Sequence, residues 1–209
     1  MATLYSYALT SIADVKETLG IDAGNTTKDN LIIRKINQAT DMIERYCGGR
    51  RFSEDTYIDE EYDATNSNQL TLRNYPITNI VSLSYRDSSL NENSWEIVDT
   101  DRYFVDQNAG VIDLTFNARG RWNRYKVTYD AGYGTIPADL TEACVTLVAY
   151  LYENATSGTG IKRKQEGSRS IEYFDVNASS SGSGDNGIFG QLNIDDILNT
   201  YAKYPLTEK

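Results

Sequence analysis

Residues 126–152 read KVTYDAGYGTIPADLTEACVTLVAYLY, and this stretch decides the fold. The alternation Lys126-Val127-Thr128-Tyr129 predicts a half-buried strand with Val127 and Tyr129 on one face. Gly132 and Gly134 bracket Tyr133 and supply the positive φ values that a strand-to-helix corner uses. Pro137 suits the first helical position, where its missing N–H has no intrahelical partner to lose. From there Leu140, Ala143, Cys144, Leu147, Val148 and Leu151 recur at helical spacing and predict one broad apolar face over 138–152. That helix is the expected centre of the core.

Upstream, two more helices are expected. Ser11 and Asp14 have capping-box spacing ahead of a short helix over 12–19, with Ile12, Val15 and Leu19 as its stripe and Gly20 after it. Thr26 and Asp29 repeat that spacing before a longer helix over 28–47. Its stripe is Ile32, Ile36, Ala39, Ile43 and Tyr46 or Cys47, and Gly48-Gly49 ends it. Arg50 and Arg51 then either compensate the helix dipole or take part in binding.

Between Phe52 and Tyr129 the pattern changes to short alternating runs. Strands are expected at 69–72, 80–85, 95–98, 103–105, 111–116 and 125–129, with Asn108-Ala109-Gly110 as a hairpin loop. The fold class is therefore α+β: a small helical bundle of three core helices plus a C-terminal helix, carrying an inserted antiparallel β-sheet or sandwich module. The acidic run Asp59-Glu60-Glu61-Tyr62-Asp63 lacks the glycine and ligand spacing of a calcium loop and reads as a solvated strand edge or an electrostatic contact surface. Trp95 and Trp122 could serve as sugar-stacking platforms in a carbohydrate-binding module, or simply pack across strands.

Composition limits the chemistry. The 209 residues include no histidine, which removes the usual general base of Ser and Cys nucleophiles and the commonest zinc ligand. No Gly-rich phosphate loop or nucleophile elbow occurs, so no residue is assigned a catalytic, cofactor or metal role. A carboxylate-based hydrolase is the enzyme alternative. Cys47 and Cys144 both fall on apolar helix faces and are expected as reduced core thiols. The formal net charge of −10 argues against a surface that grips nucleic acid, and residues 53–130 carry 14 acids against 7 bases. No run of about 18 apolar residues is present, and MATLYSYALTS lacks the basic-then-apolar order of a secretory signal.

After Tyr152 the composition turns polar. Lys162, Arg163, Lys164 and Arg169 form a basic cluster that is either a solvated loop or a contact. Ile171 and Tyr173 alternate beyond it, and Asn177–Gly187 is a Ser/Gly/Asn/Asp linker. Asn193 suits an N-cap for a last short helix whose face is Ile194, Ile197, Leu198 and Tyr201, ahead of Pro205. So short a helix needs a surface to dock on, its own core or a partner's. The expected segments are a helical body over 1–52 and 131–153, a β module over 53–130, a flexible segment over 154–190 and a C-terminal arm over 191–209.

The order of these pieces resembles a known family. SIADVKETLGI, then IERYCGGRRF, then LRNYPITNIVSLSY, then VTYDAGYGTIPADLTEACVTLVAYLYE are together similar to the head–tail connector (adaptor) family of tailed bacteriophages and prophages, over roughly residues 8–175. The short members are almost purely helical, so the β module marks a long form. The resemblance implies a structural virion protein, made in the host cytoplasm, that forms a ring beneath the portal protein. The ring is expected to be dodecameric, to extend the DNA channel and to present a docking surface for the next neck or tail component. It implies that helices 12–19, 28–47 and 138–152 build the ring body. Ile194, Ile197, Leu198 and Tyr201 would dock on the portal, and Lys162, Arg163, Lys164, Arg169, Ile171 and Tyr173 would contact portal, DNA or a neighbouring subunit. DNA would pass without sequence-specific binding, and no membrane or cofactor is involved.

Overall fold

A computed structural model describes residues 2–64, 68–86, 94–116, 125–156, 163–166, 169–172, 189 and 192–202. It is mixed α+β, with four helices and antiparallel sheets. The chain divides into two compact units, residues 1–49 with 137–209, and residues 50–136.

The first unit is helical: α1 (Ile12–Thr18), α2 (Asp29–Tyr46), α3 (Ala138–Thr156) and α4 (Asp195–Tyr201). α2 and α3 pack together, α1 packs on both, and α4 packs on α3. Of the stripes read from periodicity, Val15, then Ile32, Ile36, Ala39, Ile43 and Cys47, then Leu140, Ala143, Cys144, Leu147, Val148 and Leu151 are buried, while Ile12, Leu19 and Tyr46 are only partly so. Ser11 and Asp14 close a full capping box. The Ser11 hydroxyl accepts from Asp14 N at 3.2 Å, and the Asp14 carboxylate accepts from Ser11 N at 3.2 Å.

The expected cap at Thr26 and Asp29 does not form. Lys28 occupies the N-cap position of α2 without a side-chain bond. The Asp29 carboxylate instead meets Lys16 Nζ at 2.7 Å, and Lys16 also donates to the Ala23 carbonyl at 3.3 Å. A nearly buried ammonium wins that carboxylate because an unpaired charge there costs far more than an exposed helix N–H. Pro137 precedes α3, and its carbonyl accepts from Thr141 N at 3.0 Å. α3 runs four residues past its expected end, with Asn154 Nδ2 and Thr156 Oγ1 donating to the carbonyls of Tyr150 and Tyr152. At α4, Ile194 and not Asn193 is the N-cap residue. Asn193 takes a left-handed φ of 55° in the turn closed by Ile194 N donating to Phe189 O.

The second unit holds seven strands in two antiparallel sheets. The four-stranded sheet runs β1 (Asp55–Tyr62), β7 (Tyr125–Ala131), β3 (Ile77–Tyr85), β4 (Glu96–Ile97). The three-stranded sheet runs β2 (Gln69–Thr71), β6 (Val111–Leu114), β5 (Tyr103–Asp106), with a short 3-10 turn at Thr100–Arg102. Leu70, Ile112 and Leu114 from one sheet and Leu83, Val127 and Tyr129 from the other share one core. β7 is its clearest strand, alternating buried and half-buried from end to end.

Sequence periodicity did not foresee β1 as a whole strand. A bulge between Tyr57 and Glu60 breaks its alternation, and four of its eight residues are acids, as suits an exposed sheet edge. At the corner after β7 only Gly132 takes a positive φ, 115°, and an added Cβ there would fall on the Ser53 carbonyl. Among the described residues β8 (Arg163–Glu166) and β9 (Arg169–Glu172) form a two-stranded sheet.

Candidate docking surfaces

Among the described residues no group of three or more His, Cys, Asp or Glu could hold a metal ion, and no helix is long and apolar enough to cross a membrane. Cys47 and Cys144 are buried thiols. Burial pushes the Cys144 thiol up to about 12, against a hydrogen bond with Thr40 that pulls the other way, so it stays protonated and inert.

The most concentrated polar cluster is structural. The Tyr62 hydroxyl lies 3.1 Å from that of Tyr129, and both donate to Glu60 Oε2, at 2.5 and 2.9 Å. Arg73 sits 3.5 Å from the other Glu60 oxygen and over the Tyr62 ring. The backbone N–H groups of Arg73 and Asn74 donate to the two phenols. Burial raises the pKa of Tyr57, Tyr62 and Tyr129, so all three phenols stay neutral, and Tyr62 and Tyr129 donate to Glu60. Each of these bonds closes inside the unit. Its signal in the sequence, a tyrosine-rich β region, does not distinguish core phenols from a binding surface.

Trp95 is no open stacking platform. The guanidinium of Arg86 lies 4.6 Å and the ammonium of Lys126 5.2 Å from its ring centre. Trp122 lies outside the described residues.

Of the residues expected to dock on the portal, Ile194 and Leu198 are buried against the helical unit, while Ile197 and Tyr201 stay partly exposed. Three polar contacts fix α4 there: Tyr46 Oη to Asn199 Oδ1 at 2.8 Å, Cys47 Sγ to Leu198 O at 3.7 Å, and Tyr201 Oη to the Asp139 carboxylate at 2.8 Å. In the basic segment, the register sets Arg163 opposite Glu172, Lys164 opposite Ile171 and Glu166 opposite Arg169. Lys162 and Tyr173 lie outside the described residues.

Two further surfaces stand out, and of these the sequence singled out only the acidic run 59–63 of the second. One is an open groove of about 610 Å³ along the outer side of α2, lined by Tyr5, Arg34, Asn37, Asp41, Met42 and Arg45 among others. The N-terminal segment forms its rim. Ala2 N and Tyr5 N donate to the side-chain oxygens of Asn30 and Asn37, and Leu9 N donates to Thr40 Oγ1. The other surface is β1 with its sheet, where Ile58, Val81 and Ile97 are more than half exposed. A helical stripe names the buried side of α2 and says nothing of its outer side, and the β1 bulge hides Ile58 from any alternation count.

The head completion protein family matches residues 8–163, three quarters of the sequence. The chain belongs to the head completion protein family. It is accordingly a structural head–tail connector of a phage-like particle and a component of the virion. Among solved structures, the fold is similar to a chain in the neck of an empty gene transfer agent particle, computed with C6 symmetry. The TM-score is 0.55 and the identity 15%, over 99% of this chain and 96% of that one. A chain in the virion of the native gene transfer agent particle matches at TM-score 0.51 and 16% identity, over 76% and 85%. One in the neck of the native particle, computed with C12 symmetry, matches at 0.50 and 18%, over 76% and 84%. At these identities the likeness concerns the fold alone. Comparison with curated proteins returned no match.

Proposed function

We propose that this head completion protein forms an oligomeric ring in the neck, beneath the portal protein, that extends the DNA channel and receives the next neck or tail component. In this reading the helices are the ring body, the β unit is a module inserted into that body, and residues 191–209 are an arm that meets the portal. The observation that carries it is the family match across both units, in a chain whose Glu60–Tyr62–Tyr129 cluster serves to hold the β unit together. Its role is structural rather than catalytic.

Charge agrees with a channel that passes DNA without holding it, since 30 acids outnumber 20 bases. The arm is proposed to dock through Ile197 and Tyr201, with Ile194 and Leu198 anchoring it on its own subunit. The Lys162–Tyr173 segment is proposed to contact the portal or a neighbouring subunit. A dodecamer is the stoichiometry this reading expects. Among the described residues, the candidate glycan platform Trp95 has cations over its ring.

The test is mass by multi-angle light scattering, alone and with the cognate portal, for the full chain and for a truncation after Gly187. A ring-sized species, or a portal complex lost on truncation, is the expected result. A monomer that ignores the portal in both forms overturns the reading.

A further inference from the structure

Phe104 is a large apolar side chain left in the open. It stands on β5, an edge strand of the three-stranded sheet, and is 71% exposed. Other aromatic rings of this unit carry a cation, with Arg50 over Phe52, Arg73 over Tyr62 and Arg102 over Phe116. Among the described residues no cation or second ring covers Phe104. The register sets Asp113 directly opposite it on β6, and Asp106 follows two residues later on β5. Burial alternates along both strands, with Val105, Ile112 and Leu114 turned to the core, so Phe104, Asp106 and Asp113 share the outer face. Asp106 accepts from Ala109 N and Asp113 from Gln69 Nε2, and neither has an ion pair among the described residues.

The α2 groove offers the opposite chemistry. Arg34 and Arg45 are eleven residues apart on one side of the helix, about 16 Å at 1.5 Å per residue. Both are exposed, and among the described residues neither guanidinium meets a carboxylate; Arg34 Nε donates only to the Asn30 carbonyl, at 3.3 Å. Between them lie Met42, partly exposed, and the ring of Tyr5. Asp41, in the same lining, faces the Tyr5 hydroxyl, which its charge keeps protonated. An aromatic ring laid on the Met42 thioether, with acids beside it for the two arginines, fits this lining. Asp106 and Asp113 are diagonal neighbours across a strand pair, about 7–8 Å apart, and the long arginine side chains close the remaining distance.

We infer that Phe104 of one copy inserts into the α2 groove of the next, its ring against Met42 and Tyr5, while Asp106 and Asp113 meet the guanidiniums of Arg34 and Arg45. A second copy is the occupant because the chain carries both complementary halves, the groove in its helical unit and the acidic, aromatic face in its β unit. The two surfaces differ, so the contact is heterologous and repeats head to tail around a closed ring. The inference rests on the ring reading given above and specifies its subunit interface.

Cysteine cross-linking in the full-length chain tests it. Met42→Cys and Phe104→Cys in one chain should, on mild oxidation, join successive copies into a covalent ladder that reaches ring size. Either substitution alone should give nothing beyond a dimer, since Cys47 and Cys144 are buried. Phe104→Glu, at an exposed site, should leave the circular dichroism unchanged. It should weaken ring assembly at least about tenfold, because the ring is lost and the new acid brings nothing to Met42. Arg34→Glu with Arg45→Glu should weaken it to a similar degree, since like charges then face each other at every joint. Wild-type-like assembly of Phe104→Glu, or no ladder beyond a dimer from the double-cysteine chain, overturns the contact and leaves the ring reading standing. A wild-type chain that forms no ring, alone or on the portal, overturns both.

Discussion

The two units keep their polar groups by different means. In the helical unit, most side-chain bonds that set an element are local: Ser11 with Asp14, three residues apart, or Thr18 with the Asp14 carbonyl, four apart. In the β unit they are long-range, with Tyr62 and Tyr129 separated by 67 residues, Thr56 and Asp130 by 74, and Asn79 and Asp130 by 51. A helix satisfies its backbone within one segment, so its capping needs few distant partners. A sheet takes its partners from elsewhere in the chain, and here the same distant strands also bring buried phenols together. A single substitution should therefore spread further in the β unit than in the helical one.

Gly132→Val should give the largest effect. The φ of 115° is hostile to a β-branched residue, and the new Cβ would be forced onto the Ser53 backbone. Backbone strain and overpacking together should cost roughly 3 kcal/mol or more. Denaturant unfolding should show the loss, and hydrogen exchange should place it first in β1 and β7. Protection that falls equally in α2 and α3 would mean that the two units unfold as one and that the contrast between them is mistaken.

Tyr129→Phe removes a hydroxyl that donates to Glu60, faces the Tyr62 hydroxyl and accepts from Asn74 N. The partners left behind are partly buried, so the cost should be about 1–3 kcal/mol, more than an average hydrogen bond contributes. The ring remains, so core packing is retained. A loss below about 0.5 kcal/mol would show that water replaces the hydroxyl and that the cluster adds little beyond its rings.

The same division explains what the sequence made legible. The stripes of α1, α2 and α3, the capping box at Ser11 and the alternation of β7 were readable because each is a pattern within one segment. The Thr26–Asp29 cap failed because its carboxylate was claimed by Lys16, a residue on another helix. β1 was hidden by its bulge, and the Glu60–Tyr62–Tyr129 cluster by strand pairing that no local pattern encodes. Of the residues expected to form a docking face, Ile194, at the N-cap, and Leu198, inside the short helix, are buried. Whether that face met its own body or a partner depended on Tyr46, Cys47 and Asp139, residues far away in the chain. The α2 groove has no periodic signature, since it lies on the side that the hydrophobic stripe leaves out.

The smallest effect should come from the carboxylates, and it separates local from long-range bonding most finely. Hydrogen bonds from the Ser11 side chain, then from its backbone, hold the Asp14 carboxyl below its ordinary value. In the β unit the hydroxyl of Thr56, then the amide of Asn79, do the same to Asp130. A carboxylate whose folded pKa is depressed adds stability above its unfolded value, and that stability is lost as pH falls through the folded value. Ser11→Ala should cost about 0.5–1 kcal/mol at pH 7, the usual loss of a helix cap, and the gap from wild type should narrow below about pH 4 as Asp14 protonates in both states. For Thr56→Ala the pH dependence should have the same sign, but the partners are strands apart in sequence, so the loss of hydrogen-exchange protection should reach β1, β3 and β7 together. Loss confined to β1 would mean that Asp130 is held by Asn79 alone and that the sheet does not share the bond.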